Sequence, residues 1–213
     1  MKRAFFYVII LFLLCVVGQI AQAQQISKLL IDSRKVYRFN SKDSSGTMTI
    51  DTLIMKKRSG IQISNKKTFN LTVKHAFIEE ECSISGDDNK NNGTNLTLVA
   101  NFKELKSLTI NTSGLDAKIS NQRFPNGNGG DVSISYLSTG VIPQTNSKNK
   151  PGYLNIVNRG GGNITTAQDL IPIMGRINTS SSRPLANLPN GQVFSGATGK
   201  EGKTTITKVD VLN

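Results

Sequence analysis

Glu79-Glu80-Glu81, followed by Asp87 and Asp88, forms the acidic cluster of the sequence. Read as a strand, the run puts Glu79 and Glu81 on one face about 7 Å apart. Two carboxylates at that separation, between the retaining and inverting distances, could share acid and base work on a glycosidic bond. The same oxygens suit a calcium ion, which takes several hard ligands. A solvated acidic face beside a turn, neutralised by Lys74 and Lys90, accounts for the cluster without any chemistry.

Asp131 is a further carboxylate that could do acid/base work. It closes Asn126-Gly127-Asn128-Gly129-Gly130-Asp131, which approaches the calcium-binding nonapeptide G-G-x-G-x-D-x-U-x. Asn126 stands at its first glycine and Ser133 at its apolar place. Such calcium is shared between tandem copies, and one copy is present, so a turn that needs glycine is the better reading. His75 is the sole histidine and falls on the apolar face of a strand pattern. Zinc sites and catalytic triads need partners that no spacing here supplies. Arg123, Arg159, Arg176 and Arg183 have no spacing that ties them to Asp131 or Asp169 as a lyase would require.

The chain of 213 residues carries a formal net charge of +12. Lys56-Lys57-Arg58 and Lys66-Lys67 are its densest basic runs. They are the residues expected to hold an anionic glycan or envelope polymer, although the same charge serves solubility. Specific nucleic-acid recognition wants aromatic platforms or a reading module, and the four Tyr and nine Phe show no such arrangement. N-x-Ser/Thr triplets begin at Asn70, Asn92, Asn95, Asn111, Asn163 and Asn178. They matter only where a host glycosylates exported Asn.

The elements that must position these residues are β. The chain is 37% hydrophobic, 19% charged and 6% aromatic, without Trp. Its abundance of Ser, Thr and Asn opposes a helical bundle. Residues 1–23 read as a signal peptide: Lys2 and Arg3, an apolar run from Ala4 to Val17, then Ala21-Gln22-Ala23. Cleavage after Ala23 predicts a secreted or extracytoplasmic bacterial protein with no transmembrane anchor. Leu14 before Cys15 does not suit lipoprotein processing. Cys82 is then the only cysteine left, so no internal disulfide forms. Its apolar parity predicts a buried, unreactive thiol.

Residues 24–45 fit a short helix or a capping strand. From 46 to 174 the pattern is of short strands and polar turns. Phe69, Leu71, Val73, His75 and Phe77 alternate with polar neighbours, and the parity then shifts to Ile78, Cys82 and Ile84, which predicts a bend or bulge near Ile78. Gly129-Gly130-Asp131-Val132-Ser133 is echoed by Gly161-Gly162-Asn163-Ile164-Thr165, with a third, degraded copy from Gly202 to Ile206. Residues 175–213 form a Gly/Ser/Asn-rich tail with a final strand.

Gly60-Ile61-Gln62-Ile63-Ser64, the Phe69–Phe77 run, Cys82-Ser83-Ile84-Ser85-Gly86 and the Gly-Gly-Asp/Asn-Val/Ile-Ser/Thr element together resemble secreted bacterial right-handed β-helix and glycine-rich repeat surface proteins. The resemblance spans about residues 46 to 165. It implies an all-β, right-handed parallel β-helix-like solenoid, a fold used by adhesins and by polysaccharide-degrading enzymes. Strand spacing alone also admits a β-sandwich or barrel. The function expected is a non-enzymatic structural or adhesive surface protein, the alternative a lyase or hydrolase working through Glu79, Glu81 or Asp131. No cofactor is expected, calcium being the weak exception. An open solenoid end invites self-association.

Overall fold

A computed structural model describes residues 24–39, 42–117, 125–162 and 198–211. The expected signal peptide, Arg123, Asn163, Asp169, Arg176, Asn178 and Arg183 lie outside these residues, as does most of the expected tail.

Eleven strands are described: β1 (Gln24–Ile31), β2 (Val36–Phe39), β3 (Ser45–Met55), β4 (Gly60–Ile63), β5 (Thr68–Ile78), β6 (Cys82–Gly86), β7 (Asn95–Leu105), β8 (Ser107–Asn111), β9 (Val132–Leu137), β10 (Tyr153–Val157) and β11 (Thr204–Val209). The odd-numbered strands form one sheet in the order β1-β3-β5-β7-β9-β11, and the even-numbered strands a second in the order β2-β4-β6-β8-β10. All strand pairings are parallel. Each coil therefore gives one strand to each sheet, and the fold is the right-handed β-helix-like solenoid expected. A sandwich or an up-and-down barrel would show antiparallel hairpins, which the named strands lack.

Period-two alternation drives the stacking, because every coil places the same inward position over the last. Met48 lies beside Leu71, Leu71 beside Leu98, Leu98 beside Ile134 and Ile134 beside Ile206. The first four of this column are at most 2% exposed, while Ile206, at the last coil, is 38% exposed. The facing sheet supplies Ile61, Ile84 and Ile110 in one column. Each such burial is worth roughly 1.5–3 kcal/mol.

The described residues between 24 and 45 are not helical. They form β1 and β2, the outer strand of each sheet, and enter β3. The parity shift at Ile78 is the expected bend rather than a bulge: β5 ends there, and the chain turns a corner into β6. The irregularity lies earlier, where the pairing of β5 with β7 slips between Val73 and Ala76 and again between Ala76 and Phe77. Lys74 and His75 both face outward there, so Ala76 and Ile78 take the inward parity. His75 is consequently exposed, not on the apolar face, and Phe77 is 37% exposed. Two consecutive outward residues are what one extra residue in a strand produces.

The glycine-rich segments line the side of the solenoid where the chain re-enters the six-stranded sheet. Gly127 N donates to Leu115 O at 3.0 Å, Gly161 N to Gly127 O at 2.8 Å and Gly199 N to Gly161 O at 2.8 Å. The first and third copies of the repeat stack one residue out of their sequence alignment, since Val132 pairs with Thr204 and a Cβ on Gly202 would meet Gly130 O at 2.1 Å. The described part of the second copy lies beside Gly127 and Gly199, outside that stack.

Candidate anion-binding corner

The chain leaves the six-stranded sheet through a corner that three successive coils build alike. Arg34, Arg58 and Glu81 each take a left-handed backbone, with φ of 61°, 59° and 59°. Backbone bonds join the corners: Lys56 N donates to Ile31 O at 2.9 Å, Arg34 N to Lys57 O at 3.2 Å, Glu79 N to Met55 O and Arg58 N to Glu80 O, both at 3.0 Å. Side chains at equivalent places therefore meet across the coil spacing of about 4.7–4.9 Å.

That stacking brings the expected basic and acidic residues onto each other. Lys56 pairs with Glu79 at 3.0 Å, Lys57 with Glu80 at 2.8 Å, and Arg58 with Glu81. Lys57 N also donates to Glu79 Oε2 at 2.9 Å. The hydrogen bonds from Lys56, Lys57 and Arg58 are the main reason the three carboxyls lie below their usual pKa. Reciprocally, bonds to the glutamates raise Lys56, Lys57 and Arg58. Glu79 and Glu81 are thus corner residues rather than neighbours along a strand, and each is held ionised. A general acid at neutral pH needs the opposite shift.

The remaining expected site residues lie apart. Lys66 is fully buried, its Nζ donating to Asp43 O and lying 5.7 Å from the centre of the Phe39 ring. Burial pushes its pKa down. It cannot serve as a surface anion contact in this state, which corrects that expectation; Lys67 is exposed. Asp131 precedes β9, at the opposite end of the six-stranded sheet from Glu79. Its N takes Asn95 Oδ1 as acceptor at 2.9 Å, and its own Oδ1 accepts from Lys203 N at 2.7 Å. Asn92 and Asn128 repeat the device one step away, accepting from Asn128 N and Lys200 N. Asp88 closes its own turn, accepting from Lys90 N and Asn92 N at 2.7 and 2.9 Å. Among the described residues no three His, Cys, Asp or Glu converge as a metal site would require. Cys82 is buried as expected, with its thiol donating to Lys56 O at 3.2 Å.

Beside the balanced ladder lies a cleft of about 450 Å³ lined by Glu80, Glu81, Lys106, Ser107, Lys148, Asn149, Lys150 and Pro151. Lys106 belongs to the next coil, where its N bonds Ile78 O at 2.9 Å. Ser107 Oγ accepts from Glu81 N at 2.6 Å. Lys148 and Lys150 come from the loop between β9 and β10. Gln144 shapes that loop: its Oε1 accepts from Asn146 N and Ser147 N, both at 2.9 Å, and its Nε2 donates to Ser147 O at 2.7 Å. Gly152, at φ 83°, returns the chain to β10. Lys148 and Lys150 are exposed and in no ion pair among the described residues. The cleft therefore has a cationic rim over two glutamates already neutralised from the other side.

Lys106, Lys148 and Lys150 carry no sequence signal of their own. No fixed coil period aligns them with the acidic corner, because the step lengthens from Met48–Leu71 to Leu71–Leu98 and again to Leu98–Ile134. Comparison with protein-family models, with curated proteins and with solved structures gave no match.

Proposed function

We propose that the protein is an exported bacterial surface or envelope protein, structural or adhesive rather than enzymatic, whose corner cleft holds an anionic glycan or envelope polymer. The observation that carries this reading is the pair Lys148 and Lys150, exposed and outside any ion pair among the described residues, beside a ladder whose own charges pair. Ammonium groups on such a rim attract a polyanion and bind it in a salt-dependent way. The leader-like residues 1–23 support export. Among the described residues no helix is long and apolar enough to cross a membrane.

Retention on immobilised acidic and neutral polysaccharides, with polymer length followed in parallel, tests the reading. Salt-sensitive retention of acidic polymer with no shortening is the expected result. Shortened polymer would overturn the non-enzymatic reading, and indifference to acidic polymer would overturn the anionic partner.

A further inference from the structure

The outward face of the six-stranded sheet carries an ordered array of uncharged residues, all but Asn70 and Val99 bearing a hydroxyl, that the cleft does not use. Two outward positions flank one inward residue on each strand. They are Thr47 and Thr49 on β3, Asn70 and Thr72 on β5, Thr97 and Val99 on β7, Ser133 and Ser135 on β9, and Thr205 and Thr207 on β11. Thr47, Asn70, Thr97, Ser133 and Thr205 stand beside one another in one row, and Thr49, Thr72, Val99, Ser135 and Thr207 in the next. The slips in the pairing of β5 with β7 come only after Val73, beyond both rows.

Three observations separate this face from an ordinary wet strand surface. None of the ten residues is charged, in a chain that is 19% charged. Among the described residues none of their side chains hydrogen-bonds to protein, so their donors and acceptors all point outward. Charge instead flanks the array: Asp51 pairs with Lys74 at 2.8 Å along one side, and Asp131 and Lys203 stand along the other. The five-stranded sheet shows no such order. Its outward rows run Val36, Gly60, Ser83, Thr109, Asn155 and Arg38, Gln62, Ser85, Asn111, Val157.

The geometry is that of a fixed two-dimensional lattice. Neighbouring strands stand about 4.7–4.9 Å apart, and outward residues two apart on a strand about 6.6–6.8 Å. Parallel pairing through five strands holds both spacings rigid, so little ordering is lost on contact. A flexible polymer gains nothing from such regularity, whereas a crystal face with similar repeats gains at every point. The strand spacing lies near one oxygen repeat of hexagonal ice, and the along-strand spacing falls short of another. Threonine and serine offer a hydroxyl to the water lattice, and threonine adds a methyl that water must order around. Crystalline polysaccharide is usually gripped by flat aromatic rings, and none lies among the ten residues.

We propose that this face adsorbs to ice. The full chain is examined on a single ice crystal for faceting and for a gap between melting and freezing temperatures, and for partition into a growing ice hemisphere. Faceting, a gap and enrichment in ice are expected. Thr97→Lys, or Thr205→Lys should the first variant fail to fold by circular dichroism, is expected to abolish all three, while Ser83→Lys on the other sheet keeps them. A folded chain that neither shapes ice nor enters it overturns the proposal, as does a folded Thr97→Lys or Thr205→Lys variant with full activity. Retention on crystalline chitin or cellulose that is lost in Thr97→Lys, without any effect on ice, overturns it in favour of a glycan crystal.

Discussion

Arg58 and Glu81 occupy the same place in successive coils, share a φ of 59° and form an ion pair. The left-handed backbone turns each corner, and the coil spacing then sets opposite charges side by side. Complementary triplets at equivalent corner positions, Lys56-Lys57-Arg58 and Glu79-Glu80-Glu81, so favour one register over a slipped one. Both side chains are about half exposed, so the pair acts more on register than on stability. Arg58→Glu is expected to lower the melting temperature by placing four glutamates together. The double variant Arg58→Glu with Glu81→Arg should recover most of the loss. A double-mutant cycle by thermal melting measures the coupling, and additive losses would refute the register argument.

The ladder also fixes the sign of the pH dependence. Hydrogen bonds from their basic partners hold Glu79, Glu80 and Glu81 below their usual pKa. A carboxyl lowered on folding stabilises fully above its unfolded value, and that stability is lost as pH falls through the folded value. Melting temperature should therefore be level near neutrality and decline in acid, from the ordinary carboxylate range downward. The triple variant Glu79→Gln, Glu80→Gln, Glu81→Gln should flatten that decline. Lys66 acts with the opposite sign, because burial lowers its value. While charged it opposes folding, so stability should rise as pH climbs through its folded value, and Lys66→Met should remove that rise. Salt should weaken the acid limb, since the ladder is exposed and screened.

For the cleft, Lys148→Ala with Lys150→Ala should lower the salt concentration that elutes the chain from acidic polysaccharide and leave the melting temperature unchanged. Neither lysine is buried or ion-paired among the described residues. Gln144→Ala should weaken retention in the same direction, because it removes the amide that organises their loop. Lys56→Ala should matter less, its charge being engaged by Glu79. Chromatography over a salt gradient separates these outcomes, and equal losses for Lys56→Ala and for the loop pair would move the site onto the ladder.

How far the sequence could be read follows from what is local. Met48, Ile50, Leu71 and Val73 announce strands because alternation acts within one strand. The solenoid was legible from that alternation and from long polar connections. The outward turn of His75 was not, since Lys74 and His75 face outward in succession, as Asp51 and Thr52 do beside them in β3, and nothing in the alternation of β5 marks that doubled step. Lys56-Lys57-Arg58 and Glu79-Glu80-Glu81 stood out as separate motifs, but their pairing needs the coil register. Asp131 drew notice for its glycine-rich setting, but its hydrogen bond from Lys203 N needs the register of the next coil.

Glycine gives the sharpest contrast between two neighbouring segments of one wall. A Cβ on Gly127 would lie 1.5 Å from Asn91 O, a backbone atom that cannot swing aside, whereas a Cβ on Gly162 would meet nothing within 4 Å. Neither residue has the positive φ that would strain any side chain, so the difference rests on space alone. Gly127→Ala must push apart the segments joined through Leu115, Gly127, Gly161 and Gly199. Its cost should reach or exceed the roughly 1–3 kcal/mol of an overpacked core. Gly162→Ala should change stability by no more than about 0.5 kcal/mol. Urea unfolding of the two variants measures both. Equal midpoints would mean that the glycine wall is not closely packed in solution.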